Sequence, residues 1–358
     1  MVTISHIAKL AGVGNATVSR VLNNTGNVSP EVRERVLALS KEKGYVPNQI
    51  ARNLKAGHTK SIAFITTTME NNSTFSDILR GLNSVLFSEG YTICVLETKH
   101  SVQTEMNLVN SVVSQWVDGI VLSSSVYEEN DETTEYLESL GNLRKKNIRI
   151  PVVQLGIPCL NKAVSSVGFC HEEAAYRAVY HLIEIGRKNI VYVSIPECSA
   201  AYVPRLDGYK RAMKEAGLTN IHVVPCDFSL NSAYRAMNNL LESGHPVDAI
   251  FGGNDGIALG VIAACKDNGI RVPEDIAVIG NDDSFFSSFM DPQISTVRIP
   301  RFTLGKKAGE VLFKLMNNQD SMPEAENLIF DTEIQIRSST LKSAGSTRRC
   351  MDWVGDSL

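Results

Sequence analysis

From Ser61 onward the chain repeats one pattern, a short β-branched or apolar run followed by a stretch with helical spacing. The runs are SIAFIT (61–66), YTICVLE (91–97), DGIVLSS (118–124), IPVVQLG (150–156), SSVGF (165–169), NIVYVSI (189–195), IHVVPC (221–226), DAIFGGN (248–254), IAVIGND (276–282), ISTVRI (294–299) and DTEIQIR (331–337). Continuous apolar runs alternating with helices indicate parallel strands covered on both faces. Between them the spacing predicts helices over 76–88, 104–115, 171–185, 205–216, 232–242, 256–267 and 303–317. Eleven strands exceed one tidy open sheet, and two similar lobes of parallel α/β sheet with five or six strands each fit better. Ligands of open α/β sheets collect at the carboxyl ends of strands, so the space between two such lobes is the expected pocket.

The first sixty residues follow a different rule. Ile4, Ile7, Ala8 and Ala11 recur at helical spacing, with Thr3 able to cap the first turn. Gly12-Val13-Gly14 breaks that helix, and a second period follows with Val18, Val21 and Leu22 on one face. Its other face carries Asn15, Ala16, Ser19, Arg20 and Asn23. Two short helices joined by a glycine turn form a helix-turn-helix, whose second helix fits the DNA major groove. An ordinary helical hairpin with a solvated polar face satisfies the same spacing. Ser29-Pro30 then opens a third helix, serine as cap and proline at its first position, and Gly44 ends it.

Charge favours the DNA reading. Residues 1–60 hold nine Lys/Arg against three Asp/Glu, a net of +6, which leaves −10 for the rest of a chain totalling −4. A basic head on an acidic body suits a polyanion for the head alone. The seven cysteines include no C-x-x-C pair, and most lie in apolar runs such as TICVL, where cysteine acts as a small buried hydrophobe. A reducing, cytoplasmic setting is expected, and neither a leader nor an apolar run long enough for a membrane is legible.

The segment 45–60, YVPNQIARNLKAGHTK, reads as a short helix from Pro47-Asn48 running into a linker. It is too short to hold alone and needs DNA or a second copy of itself. Residues 341–358 are rich in Ser, Gly and Arg without period and are expected to be a disordered tail.

IAKLAGVGNATVSRVLN, SPEVRERVLALSKEKGYVPNQIARNL, DGIVLSS, GYKRAM, NDGIALG and VIGNDD followed by PQISTV together resemble the lactose/galactose repressor (LacI/GalR) family of bacterial transcription regulators. The likeness runs over essentially residues 2–340, and the body alone is similar to periplasmic sugar-binding proteins. It implies an α/β architecture in three parts: a three-helix helix-turn-helix head (1–45), a hinge helix and linker (46–60) and an effector-binding, dimerising body (61–340). The N-lobe would take about 61–168 plus 301–330, the C-lobe about 169–300 plus 331–340.

The resemblance also implies roles. Asn15, Ala16 and Arg20 stand where the family reads bases, and Thr3, Thr17, Ser19 and Asn23 near phosphate contacts. Asn48, Ala51 and Leu54 match the hinge, with Leu54 as the wedge that pries a base step apart in the minor groove. Effector contacts map onto Phe75, Arg205, Phe228, Asn254, Asp255 and Asp282. Arginine and aspartate can fork onto vicinal hydroxyls while phenylalanines stack on an apolar ring face. Either carboxylate can instead be a helix N-cap, and Arg205 a surface arginine.

Gly14, Gly156, Cys170 and Arg301 depart from the family pattern, and Arg301 beside Arg205 admits a sugar phosphate as well as a sugar. The resulting expectation is a sequence-specific, homodimeric repressor of carbohydrate genes on double-stranded operator DNA, controlled by a sugar or sugar phosphate. No cofactor, metal or membrane is called for. The alternative is a catabolite-control regulator activated by a phosphorylated phosphocarrier protein through Lys306 and Lys307. No G-x-S-x-G, H-E-x-x-H or G-x-x-x-x-G-K-[ST] occurs, so an enzyme is not expected, and His171-Glu172 reads as helix cap and solvent face.

Overall fold

The computed structural model describes residues 2–45, 58–68, 73–115, 117–126, 130–145, 148–156, 164–318 and 324–341. It divides into two compact units, Met1–Thr59 and Lys60–Leu358. The expected hinge residues Asn48, Ala51 and Leu54, and the expected tail from 342 on, lie outside the described residues.

The head holds helices α1 (Ile4–Ala11), α2 (Asn15–Leu22) and α3 (Pro30–Glu42). Thr3 caps α1 through its hydroxyl, and Gly12 ends the helix at φ +65°, a left-handed turn that glycine takes without a Cβ penalty. Gly14 caps α2 with backbone alone, whereas Ser29 caps α3 with its side chain. Ile7, Ala8, Ala11, Val18, Val21 and Val36 form a small core.

The body runs β1 (Ser61–Thr66), α4 (Ser73–Leu86), β2 (Thr92–Glu97), α5 (Val102–Ser114), β3 (Gly119–Leu122), α6 (Asp131–Leu140), β4 (Arg144–Lys145), β5 (Ile148–Arg149), β6 (Val152–Gly156) and β7 (Ser165–Phe169). It continues α7 (His171–Glu184), β8 (Ile190–Ser194), α8 (Tyr202–Glu215), β9 (His222–Pro225), α9 (Leu230–Glu242), β10 (Ala249–Gly252), α10 (Asp255–Asp267) and β11 (Ala277–Ile279). Last come β12 (Thr296–Arg298), α11 (Arg301–Asn317), β13 (Asn327–Phe330) and β14 (Glu333–Gln335).

Two parallel sheets define two lobes, a six-stranded one in the order β13-β7-β6-β3-β1-β2 and a four-stranded one in the order β11-β10-β8-β9. β12 and β14 pair antiparallel beside the second sheet. The chain crosses between lobes after β7, after β12 and after β13, so the first lobe takes α11 and β13 from late sequence. Buried strand residues such as Phe64, Val121, Tyr192 and Phe251 need helices on both faces, as the unbroken apolar runs require. No helix among the described residues is long and apolar enough to cross a membrane.

The cysteines correct one expectation. Among those described all are unpaired and only Cys265 is buried, while Cys94 of the TICVL run and Cys170 are exposed. β2 is an edge strand, so one of its faces stays open even where its residues are apolar.

Candidate functional site

On the head, α2 packs Val18 and Val21 inward and turns its polar residues out. Asn15, Ala16, Arg20 and Asn23 are exposed, while Thr17 and Ser19 are half-buried. The Asn15 amide donates to Ser5 Oγ at 3.1 Å, and Asn23 Nδ2 donates to Ser19 Oγ at 3.2 Å. Thr3 is spent partly on its cap, its hydroxyl accepting from the His6 amide at 3.3 Å. The stem of Arg20 lies along Gly26, where an added Cβ would come within 3.3 Å of Arg20 Cδ. Thus the arginine leaves the helix over a glycine, with its guanidinium on the exposed side.

Between the lobes of the body lies a cavity of ≈ 1390 Å³, lined from both sides. All six expected effector residues, Phe75, Arg205, Phe228, Asn254, Asp255 and Asp282, line it. Their environments differ. Arg205 is buried, donates through Nη1 to the Gly253 carbonyl, and holds Nη2 3.6 Å from Asp282 Oδ1. Its Nε has no partner. Burial raises the Asp282 carboxyl above its ordinary range, and the guanidinia of Arg205 and Arg301 act against that rise. Phe75 sits in the first turns of α4 with its ring 6.3 Å from that of Phe64.

Asn254 is the N-cap of α10, its Oδ1 accepting from the Ile257 amide at 2.7 Å. Asp255 follows it and is completely buried. Its Oδ1 accepts from Thr296 Oγ1 at 2.5 Å, and its Oδ2 from the Ser284 amide at 2.6 Å and Ser287 Oγ at 2.8 Å. Internal donors therefore occupy both oxygens. Burial first and the Asp282 charge second push its pKa up to about 7.

Three further residues face the cavity without having been expected there. His100 stacks on Phe228, ring centroids 4.8 Å apart at 18°, joining the first lobe to the second across the cleft. His171 is buried with its ring 4.1 Å from Phe169, so its reading as a solvent-facing cap residue is corrected. Burial and the nearby Arg205 charge hold its pKa well below the ordinary histidine value, leaving it neutral. Gln154 is buried in the middle of β6 with Oε1 unpartnered, as is Nδ1 of His171. A local pattern marks none of these, although Gln154 within an otherwise apolar strand is the one signal a sequence could carry.

Arg301 does not line the cavity. It is buried beside it, with Nε 3.3 Å from Asp77 Oδ2 and both terminal nitrogens donating to carbonyls of 282 and 283. Acidic residues outnumber basic ones among the described lining, with Glu97, Asp227, Asp255 and Asp282 against Lys99 and Arg205. Groups of His, Cys, Asp or Glu able to hold a metal are absent among the described residues.

Residues 3–48 match the family described as bacterial regulatory proteins, lacI family, and residues 179–340 the periplasmic binding protein-like domain. Catabolite control protein A of Priestia megaterium is 34% identical over 321 residues, covering 89% of this chain and 93% of the relative. The chain belongs to the lacI family of bacterial regulators. The transcriptional repressor PurR of Vibrio atlanticus is 31% identical, covering 96% of this chain and 99% of that protein. Among solved structures the Lac repressor bound to ONPG in its repressed state aligns with TM-score 0.82 at 26% identity, over 95% of this chain and 99% of that one. A CelR–cellobiose complex aligns with TM-score 0.67 at 29% identity, over 95% and 100%. This lacI-family chain is thus a DNA-binding transcription regulator, with a helix-turn-helix head and a periplasmic-binding-protein-like body.

Proposed function

We propose that the protein represses carbohydrate genes as a homodimer on operator DNA and that an uncharged sugar bound between the lobes controls it, with no catalysis of its own. One observation carries the effector reading: the buried Arg205–Asp282 pair at 3.6 Å, facing a cavity walled by Phe75 and Phe228. A buried guanidinium and carboxylate held apart at that distance offer a donor fork and an acceptor to vicinal hydroxyls, and the rings offer faces to the C–H side of a pyranose. Relatives seen with sugars support it, one a cellobiose complex and one a Lac repressor bound to ONPG.

The choice between sugar and sugar phosphate follows from charge. Asp282 compensates Arg205, and Arg301 is engaged by Asp77 and two carbonyls, so a phosphate would enter a cleft whose lining is acidic on balance. The phosphocarrier alternative draws on the likeness to catabolite control protein A. However, Arg301 is buried and Lys307 is paired with Glu310 at 3.0 Å, which leaves less of the basic face that this reading needs. The base-reading roles of Asn15, Ala16 and Arg20, the phosphate roles of Thr3, Thr17, Ser19 and Asn23, and the hinge roles of Asn48, Ala51 and Leu54 belong to the same proposal.

Thermal shift against neutral mono- and disaccharides and their phosphates tests the effector class, followed by operator release on a site selected from genomic fragments. A neutral sugar should stabilise the wild type and lose that effect in Asp282→Asn and Arg205→Lys. Stabilisation by the phosphates alone, or by the serine-phosphorylated carrier alone, overturns the reading.

A further inference from the structure

Arg301 opens α11 in the first lobe but reaches into the second. Its Nη1 donates to the Asp282 carbonyl at 3.0 Å and its Nη2 to the Asp283 carbonyl at 2.9 Å, while Nε lies 3.3 Å from Asp77 Oδ2 on α4. The guanidinium is therefore a three-way joint between a helix of one lobe and a turn of the other.

The gripped turn is unusual. Asp282 has φ +116° and Asp283 φ +52°, backbone that residues with a Cβ avoid and that persists only where surroundings hold it. Those surroundings are visible. Asp283 accepts from Arg298 Nε at 2.7 Å and from Arg337 Nη2 at 2.5 Å, and its amide donates to Thr296 Oγ1 at 3.1 Å. All three of these partners belong to the second lobe or its β12–β14 ribbon, whereas Arg301 comes from the first lobe.

We infer that Arg301 is a positioning residue for the cleft: by tying the carbonyls of 282 and 283 to Asp77, it aims the Asp282 carboxylate at Arg205 and links that aim to the angle between the lobes. Opening the lobes draws Asp77 and Arg301 away from the turn and lets its left-handed backbone relax, which withdraws the carboxylate. Conversely, a ligand that engages Asp282 in its present pose favours the arrangement in which the joint is made. The consequence for effector control rests on the cleft reading above, but the joint itself does not.

Hydrogen exchange of the full-length chain without any ligand tests the joint, so its outcome is independent of which effector binds. Asp77→Asn changes a residue whose ion pairs among the described residues go to Arg80 and Arg301 and not to the turn. It should nonetheless speed exchange of the amides of 282–284 on the order of tenfold, while those of β8 stay at the wild-type rate. Arg301→Lys, which keeps the charge but loses the fork, should do the same. The double variant should add little to either single change, as expected for residues acting through one network. If Asp77→Asn alters exchange in α4 alone, or if the two effects simply add, Arg301 is a local structural arginine and the inference fails. Asp77→Asn carries the test by itself should Arg301→Lys not fold.

Discussion

Asp255 and Asp282 follow neighbouring parallel strands, β10 and β11, yet they meet different surroundings. Asp282 faces a guanidinium across 3.6 Å in the cleft, whereas Asp255 is closed over by Thr296, Ser284 and Ser287. Sequence spacing located both at strand ends but left ligand contact and capping open for each. The cap of α10 is Asn254, the residue just before Asp255. Burial raises the folded pKa of Asp255 to about 7, above its unfolded value, so folding takes up a proton in between. Its contribution to stability is complete below about pH 4 and is lost as pH rises through about 7, a change of a few kcal/mol at most. Urea unfolding followed from pH 4 to 8 should show that slope, and Asp255→Asn should flatten it. A separate outcome is expected at Arg20, exposed on α2. Arg20→Ala should weaken operator binding by about 1–3 kcal/mol, if it is forked to a guanine, with the melting temperature unchanged. Fluorescence anisotropy on specific and scrambled duplexes distinguishes a base contact from a general loss of charge. His100 and His171 were beyond sequence reasoning because their neighbours, Phe228 and Arg205, lie on other segments brought near only by the fold.

Helix α4 meets α11 so closely that glycine is required on both sides. A Cβ on Gly305 would stand 2.0 Å from the Ile78 carbonyl oxygen, and one on Gly81 2.2 Å from that of Phe302. Backbone cannot move aside as a side chain can, so Gly305→Ala should cost about 1–3 kcal/mol or more in chemical denaturation. Gly309→Ala, whose nearest contact would be 3.3 Å from a Val85 side-chain atom, should be close to neutral. Most elements were legible because their apolar runs or helical spacing are unbroken. Helix α6 was missed, being rich in Asp and Glu, although Asn130 and Thr133 form a capping box and Tyr136 and Leu140 keep helical spacing. Strand β13 was missed because it is a short edge strand whose residues alternate between exposed and half-buried. The two-residue strands β4 and β5 are too short to leave a period.

The opposed charges of head and body make the whole molecule sensitive to salt in a way neither part would be alone. With +6 on residues 1–60 and −10 on the rest, only the head is drawn to a duplex. Operator affinity should fall at least about a hundredfold between roughly 50 and 200 mM salt, read from the slope of a titration series. A flat series would mean that phosphate contacts are few. The two lobes were legible from the number of strands alone, whereas the placing of 301–330 in the N-lobe came from the family resemblance, because sheet membership there depends on packing that no local run encodes. That placing governs how the molecule is built. The six-stranded sheet takes its outer strand from 327–330 and a covering helix from 301–317, so its first strands leave the ribosome long before their last partners exist. The nascent N-lobe must therefore wait, unfinished and in need of protection, until nearly all of the other lobe has been synthesised.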